Sequence, residues 1–398
     1  MSGPSMFVRP RSIRRGAALT FVFATVVAGG AAAAGSFGAG TANSAGAGTR
    51  SAAAADRRSE VAEAAAAAMA EGKSGSEAAE EVVSRSGDRW SAVYSAGEYE
   101  GVQLALDGEY VGVGLWVRCR QGGRIEVDRV QPGSPAERAG IAPGDRLRTI
   151  DGLRMTGEPV TDVVSRLRGA APGQAREGRP AGAGTPVRLG LERSGRAWDE
   201  KLRRAKLHAE TVTTERTAAD RATHIKVASF AKGTGDAVRR AVRKVPEGDG
   251  ILLDLRGNSG GLVTEAVTAA SAFLDGGLVA TYDVRGEQRA LHAKSGGDHR
   301  SPLVVLVDGG TMSAAELLTG ALQDRGRAVV VGSRTFGKGS VQMPSELPDG
   351  SVAELTVGHY RTPAGRGVDG AGIAPDLEVR QGAEERARRV LSGLGGGA

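Results

Sequence analysis

Three hydrophobic runs, the first interrupted only by Asp254, organise the C-terminal half of the chain: Ile251-Leu252-Leu253-Asp254-Leu255, Leu303-Val304-Val305-Leu306-Val307 and Ala328-Val329-Val330-Val331. Runs this short, rich in Val, Leu and Ile and bounded by glycine, predict strands buried on both faces. Each ends at a glycine turn: Gly257-Asn258-Ser259-Gly260-Gly261, Asp308-Gly309-Gly310 and Gly332. Apolar residues then return at helical spacing over residues 263–273 and 314–324. Strand, turn and helix repeated in this order predict an α/β sheet with its chemistry gathered at the carboxyl ends of the strands.

The N-terminal half has a different texture. Residues 56–70 and 76–84 are rich in Ala and Glu and predict two helices, broken by Glu71-Gly72-Lys73-Ser74-Gly75. Their apolar faces are mostly alanine, so they must pack on a neighbour. From Gly108 short β-runs take over: 108–117, then 125–130. Pro132-Gly133-Ser134-Pro135-Ala136-Glu137 and Ala142-Pro143-Gly144-Asp145 follow, and Val163, Val164 and Leu167 stand at helical spacing. This order resembles a PDZ domain. Gly112 and Gly114 let backbone N–H groups converge on a carboxylate without Cβ obstruction. The strand beside them, from Val113 and Leu115, is then the edge on which an extended peptide tail pairs. Gly112, Val113, Gly114 and Leu115 are therefore the candidate tail-binding residues. A polar insertion at 174–184 reads as a loose loop.

Composition narrows the function. The chain has 398 residues, 61 of them Gly and only 4% aromatic, so its core is built from Val, Leu, Ile and Ala. The formal charge of +6 is spread among arginines that alternate with Asp and Glu, without interleaved aromatics. That pattern argues against nucleic-acid binding. One cysteine, Cys119, cannot form an internal disulfide, and five scattered histidines show no ligand spacing, so neither metal nor cofactor is expected. Arg9, Arg11, Arg14 and Arg15 precede the uncharged stretch 16–35. This has the form of a secretory signal, and at roughly 20 residues it is also near the length of a membrane anchor. Either alternative puts the rest of the chain outside the cytoplasm, with membrane contact through the N-terminus in the second. The expected organisation is a signal or anchor with a Gly/Ala linker (1–50), a helical cap segment (51–98), a PDZ domain (99–195), a catalytic domain (196–382) and a C-terminal tail (383–398). Nothing in the sequence specifies an oligomeric state.

Chemistry concentrates in two runs, Thr311-Met312-Ser313-Ala314-Ala315-Glu316 and Thr335-Phe336-Gly337-Lys338-Gly339-Ser340-Val341-Gln342. A serine hydroxyl needs a base to act as a nucleophile. Lysine is a base only when neutral, which at pH 7 costs roughly 4–5 kcal/mol unless burial lowers its pKa. No carboxylate flanks Lys338 in the sequence, and Gln342 offers a neutral amide acceptor. Gly260 or Gly261, with the Ala314 N–H at a helix start, would stabilise an oxyanion. Plainer readings exist. Ser313 and Glu316 fit a capping box. Gly332 to Lys338 also fits the start of a phosphate loop, but Gly339 stands where that loop needs a hydroxyl. Asp254 and Asp308 belong to buried strands, and His359 reads as a strand or loop residue.

These runs, together with Leu255-Arg256-Gly257-Asn258-Ser259-Gly260-Gly261, Tyr360-Arg361-Thr362-Pro363 and Gly372-Ile373-Ala374-Pro375-Asp376, resemble the carboxyl-terminal processing peptidases, tail-specific serine proteases with a PDZ domain. The likeness runs from about residue 88 to 377. It implies an α/β catalytic core of the crotonase/ClpP-like kind, with the N-terminal helical segment and the PDZ-like β-rich domain preceding it. It also implies Ser313 as nucleophile, Lys338 as general base, Gln342 hydrogen-bonded to that lysine and protein tails as partners. Arg168, closing the second PDZ helix, is a candidate regulatory residue on the same ground. Ser259 departs from the usual proline and Ala315 from a frequent serine. Two other classes fit less of the chain: a catalytically silent PDZ scaffold, and a crotonase-like acyl-CoA enzyme.

Overall fold

The computed structural model describes residues 45–169, 181–217, 221–284 and 287–395. The expected signal or anchor segment and most of the 174–184 insertion lie outside the described residues. The chain forms two compact units, one of Tyr110–Leu207 and one of the preceding segment together with His208–Ala398.

In the first unit, antiparallel strands Leu115–Arg120, Arg124–Val130, Arg146–Ile150, Pro186–Arg193 and Arg196–Arg203 pair in that order, with Leu153–Arg154 alongside Arg146–Ile150. Ile125, Val127, Leu147, Leu189 and Leu191 point inward at strand periodicity and meet Val163 and Leu167 of the helix Val160–Arg168. That helix stops at Gly169, whose φ of 87° is left-handed. Strand Arg196–Arg203 lies beyond the expected boundary at 195. It joins this sheet because Trp198 and Leu202 pack on the same core.

The second unit holds two sheets. Strands Val212–Thr217, Ala222–Val227, Gly250–Asp254, Leu303–Val307, Val329–Gly332 and Leu377–Glu378 form one, parallel throughout except for its first pair. Side-chain alternation explains why its strands read as apolar runs. Ile251, Leu253, Leu303, Val305 and Val330 face one cluster with helices Val263–Ala270 and Ala314–Asp324. Leu252, Val304, Leu306 and Val331 face the other way, onto Ala387 and Leu391. The expected tail is thus a helix, Ala383–Gly395, that covers the second face of the sheet.

The other sheet is antiparallel. Strand Val352–Arg361 pairs with Ser340–Glu346 on one side; on the other it pairs first with Ala92–Tyr94 and then with Leu278–Val284, which also pairs with Glu287–His292. The expected crotonase/ClpP-like core is therefore corrected. A strand of the N-terminal segment completes the second unit, and a second sheet stands beside the parallel one. Pairing across such a sequence distance rests on register and burial, which the periodicity of residues 328–361 does not reveal. The helical segment is part of the same arrangement. Helices Ala45–Ala70 and Gly75–Arg85 bury Val61, Ala65, Val82 and Val83 against Leu347, Ala353 and Leu355. The first helix begins well before Asp56 and takes up the end of the expected linker.

Candidate active site

The three parallel strands Gly250–Asp254, Leu303–Val307 and Val329–Gly332 are neighbours, so their carboxyl ends deliver the 255–261, 308–313 and 333–339 turns to one edge. Ser313 and Lys338 are both fully buried there. Ser313 has φ 55° and ψ −117°, a backbone state that costs a β-carbon residue of order 1–3 kcal/mol. Such strain persists only where the surroundings over-determine it.

Two buried side chains supply that constraint. The Glu316 carboxylate, one turn into the helix, accepts four hydrogen bonds. Its Oε2 takes the backbone N–H of Ser313 at 2.9 Å and of Lys338 at 2.8 Å; its Oε1 takes the Gly337 N–H at 2.7 Å and the Thr335 hydroxyl at 2.5 Å. The Thr335 oxygen in turn accepts the Ile373 N–H at 2.7 Å. Burial pushes the Glu316 carboxyl up, against the pull of these donors. Three of the four partners are backbone N–H groups, which can only donate, and the Thr335 hydroxyl completes the set. On the opposite side, the Tyr360 hydroxyl lies 2.9 Å from the Ser313 carbonyl and 3.0 Å from the Lys338 carbonyl. The capping-box reading of Ser313 and Glu316 is thus incomplete: the carboxylate ties the Ser313 backbone to the lysine loop. Neither Glu316 nor Tyr360 stood out in the sequence as part of the site, although both lie inside the motifs quoted above.

The Lys338 amine makes no hydrogen bond with any described residue, and its Nζ sits 5.5 Å from the centre of the Trp90 ring. Burial brings its pKa down to about 8, opposed by the negative charges of Glu354 and Asp88. Here the structure amends the sequence reading. Carboxylates absent from the lysine's flanks arrive from the strand Val352–Arg361 and from the segment ahead of Ala92–Tyr94. Gln342 is also buried, but its Nε2 donates to the Trp90 carbonyl, while its Oε1 is buried without a partner among the described residues. No hydrogen bond joins Gln342 to Lys338. The amide orientation is dictated by its neighbour, because a carbonyl can only accept.

Gly260 packs where no side chain fits. With φ 98°, a β-carbon there would lie 2.9 Å from both the Met312 carbonyl oxygen and Ser313 Cβ, and 3.1 Å from the Ala314 nitrogen. The Gly260 N–H is engaged by Asn258 Oδ1 at 2.8 Å, and Asn258 Nδ2 holds the Val227 carbonyl at 2.9 Å. Ala314, the first residue of its helix, is buried beside it. Asp308 braces the 308–311 turn by accepting the N–H groups of Gly257 and Gly310. Asp254 is held by Arg256, Lys226 and His224 on the far side of its strand. His359 is half exposed, 3.9 Å from Asp369.

In the first unit, the Val113 carbonyl accepts the Ala136 N–H and the Gly114 carbonyl accepts the Gln131 N–H. Gly114 has φ 83°, and a β-carbon there would fall 2.2 Å from that of Ser134. Gly112 closes the strand Glu109–Gly112, and Leu115 opens the strand next to the helix Val160–Arg168. At the end of that helix the Arg168 guanidinium lies over the Tyr110 ring, 5.2 Å from its centre, and burial lowers its pKa.

Family models agree with this division: peptidase family S41 matches residues 221–379 and the PDZ domain matches residues 126–177. Carboxyl-terminal-processing peptidase 3, chloroplastic, of Arabidopsis thaliana is 34% identical over 320 residues, covering 76% of this chain and 59% of that protein. A probable CtpA-like serine protease of Staphylococcus saprophyticus is 31% identical over 319 residues, covering 77% and 61%. The chain belongs to peptidase family S41.

A solved putative S41 protease from Bacteroides fragilis NCTC 9343 shares the fold, with a TM-score of 0.53 at 18% identity over 79% of this chain and 90% of that one. The fold is therefore that of the S41 peptidases with a PDZ domain, in place of the crotonase/ClpP-like core expected from the sequence. This S41 chain spans about three fifths of the length of the curated relatives it matches.

Proposed function

We propose that this S41 chain is a serine endopeptidase acting outside the cytoplasm, which captures protein tails through its PDZ unit and cuts peptide bonds with Ser313 and Lys338. The observation that carries this reading is the lysine: a fully buried amine with no hydrogen-bond partner among the described residues and a pKa of about 8, fastened by its backbone to the same carboxylate as Ser313. A lysine with only a structural role would place its ammonium in water or against an acceptor.

The reaction moves one proton at a time. As Ser313 Oγ attacks the scissile carbonyl carbon, its proton passes to Lys338 Nζ. The negative oxygen is met by the Ala314 N–H at the positive end of its helix and by the 260–261 turn, which approaches closely because Gly260 has no side chain. Lys338 then gives the proton to the departing amine, and the C–N bond breaks to leave an ester on Ser313. Water loses a proton to Lys338 and attacks the ester, and the proton returns to the serine oxygen. Gln342 anchors Trp90 over the amine and so keeps it dry. Gly112, Val113, Gly114 and Leu115 present the backbone on which a substrate tail pairs, and Arg168 reports tail binding from the helix beside that strand. The N-terminal segment supplies export and, if retained, membrane contact.

The test compares the full chain as wild type, Ser313→Ala and Lys338→Ala on an unfolded protein ending in an apolar tail. Cleavage by the wild type alone, with Ser313 carrying the acyl group in mass spectra, is the expected result. Equal cleavage by Ser313→Ala would overturn the mechanism, and tail binding without cleavage by any variant would favour a PDZ scaffold.

A further inference from the structure

A buried carboxylate near the lysine has no part in the steps above. Glu354 lies in the strand Val352–Arg361, 1% exposed, and neither of its oxygens has a hydrogen-bond partner among the described residues. The register shows where it points. Glu354 pairs with Pro344 and Thr356 with Gln342, so these four side chains share one face of the sheet. Ala92, on the other neighbouring strand, also pairs with Glu354, only two residues from Trp90. Trp90 is the residue whose ring faces Lys338 Nζ and whose carbonyl holds Gln342. Glu354 therefore opens on the same dry pocket as the lysine, and the two charges act on each other.

We propose that Glu354 is a positioning residue whose carboxylate retains the proton on Lys338, so that the base is set free only as the medium turns alkaline; this rests on the Ser–Lys reading of the site. An unpartnered buried carboxylate is expensive unless it serves an opposite charge. Burial brings the Glu354 carboxyl up to about 7, with Lys338 opposing the rise. The pair thus loses its protons in two coupled steps, and the second frees the amine beside an ionised carboxylate. The other groups that face the pair do not replace it. Asp88 adds a weaker pull on Lys338 but is occupied by the Trp90 N–H and the Ser91 hydroxyl. Tyr94 and Tyr99 stay protonated, burial and Glu354 pushing both up, and the Glu98 carboxylate caps its own helix through Ser95.

A neutral amide at 354 removes the anion and keeps the volume. Glu354→Gln is expected to lower the pH at which Lys338 deprotonates. A fall of about one unit would raise the neutral fraction at pH 7 roughly fivefold, from about one in eleven to one in two. Two measurements separate this from the protease reading. In full-length Ser313→Ala carrying 13C-labelled lysine, NMR follows the titration of the Lys338 side chain, assigned by its loss in Lys338→Arg, with and without Glu354→Gln. This needs no catalysis, so it decides the proposal even if no substrate is cut. In the active chain, the limb of the kcat/KM profile that rises with pH should move the same way. Glu354→Ala provides a second variant with the same expected direction. A Lys338 midpoint that is unchanged or higher in both variants would overturn the proposal. So would failure of both variants to fold, which would make Glu354 structural.

Discussion

Glu316 carries the geometry of the site, and removing its charge without changing its shape tests that directly. In Glu316→Gln the remaining carbonyl oxygen can accept two of the four hydrogen bonds, while the new NH2 group meets the other two donors head-on. Because Oε1 serves Thr335 and Gly337 and Oε2 serves Ser313 and Lys338, either orientation of the amide abandons one pair. Two buried donors left unsatisfied cost roughly 2–6 kcal/mol together, at about 1–3 kcal/mol each. The more favourable orientation keeps Ser313 and Lys338 and gives up the pair that includes Thr335, whose hydroxyl can rotate, so the lower half of that range is expected. For a unit of this size, about 2–4 kcal/mol lowers the thermal midpoint by roughly 4–16 °C. The loss in kcat/KM should exceed what unfolding explains, because the 335–337 part of the loop that carries Lys338 loses its hold on Glu316. Differential scanning calorimetry and steady-state proteolysis below the midpoint measure the two effects separately. A Glu316→Gln protein with an unchanged midpoint and full kcat/KM would refute the clamp. Thr335→Val, which removes a single donor, should lie between this variant and wild type.

Three further outcomes follow from the same energetics. Lys338 has a lower pKa in the folded chain than its ordinary value near 10.5, so the native state binds fewer protons and stability rises with pH from about 8 to about 10.5. Lys338→Met should therefore abolish cleavage yet stabilise the fold at pH 7 by about 2–3 kcal/mol, a gain that shrinks as the pH rises from about 8 and is gone near 10.5; a lowered midpoint at pH 7 would refute this. Gly260→Ala should suppress acylation of Ser313 by at least about a hundredfold and also lower the thermal midpoint, because the added carbon collides with the Met312 carbonyl and Ser313 Cβ; an active Gly260→Ala enzyme would count against the proposed oxyanion site. Asp254, whose carboxyl Arg256 and His224 hold well below the usual range against burial, contributes stability that is present above about pH 4 and lost in acid. Asp254→Asn should cost about 1–3 kcal/mol in urea unfolding at pH 7, below the roughly 3–5 kcal/mol of a fully buried pair because Arg256 remains partly solvated, and the deficit should shrink below pH 4.

The sequence by itself determined much of this protein. Short apolar runs bounded by glycine specified the parallel strands, since strands covered on both faces cannot tolerate polar alternation. The turns that follow them placed Ser313, Lys338 and Gly260 at one edge, because parallel neighbours end on the same side. The order of glycine, proline and helix signals around 112–168 marked the PDZ unit, and the chemistry of a serine and a lysine without nearby carboxylates pointed to the dyad. Tertiary structure decided the rest, through contacts between residues far apart in the chain. Strand Ala92–Tyr94 joins Val352–Arg361 only because register and burial coincide, and with it come Trp90 over the amine and Asp88 beside it. Glu354 reads in sequence as an ordinary strand residue, and only its register opposite Pro344 and Ala92 turns it into the pocket. Glu316 looks like a helix cap until the 335–338 loop folds onto its second oxygen. Local patterns encode the elements and their ends, because backbone geometry and burial repeat within a few residues. The charge state of the lysine depends on which distant groups share its dry pocket, and that is settled only when the chain packs.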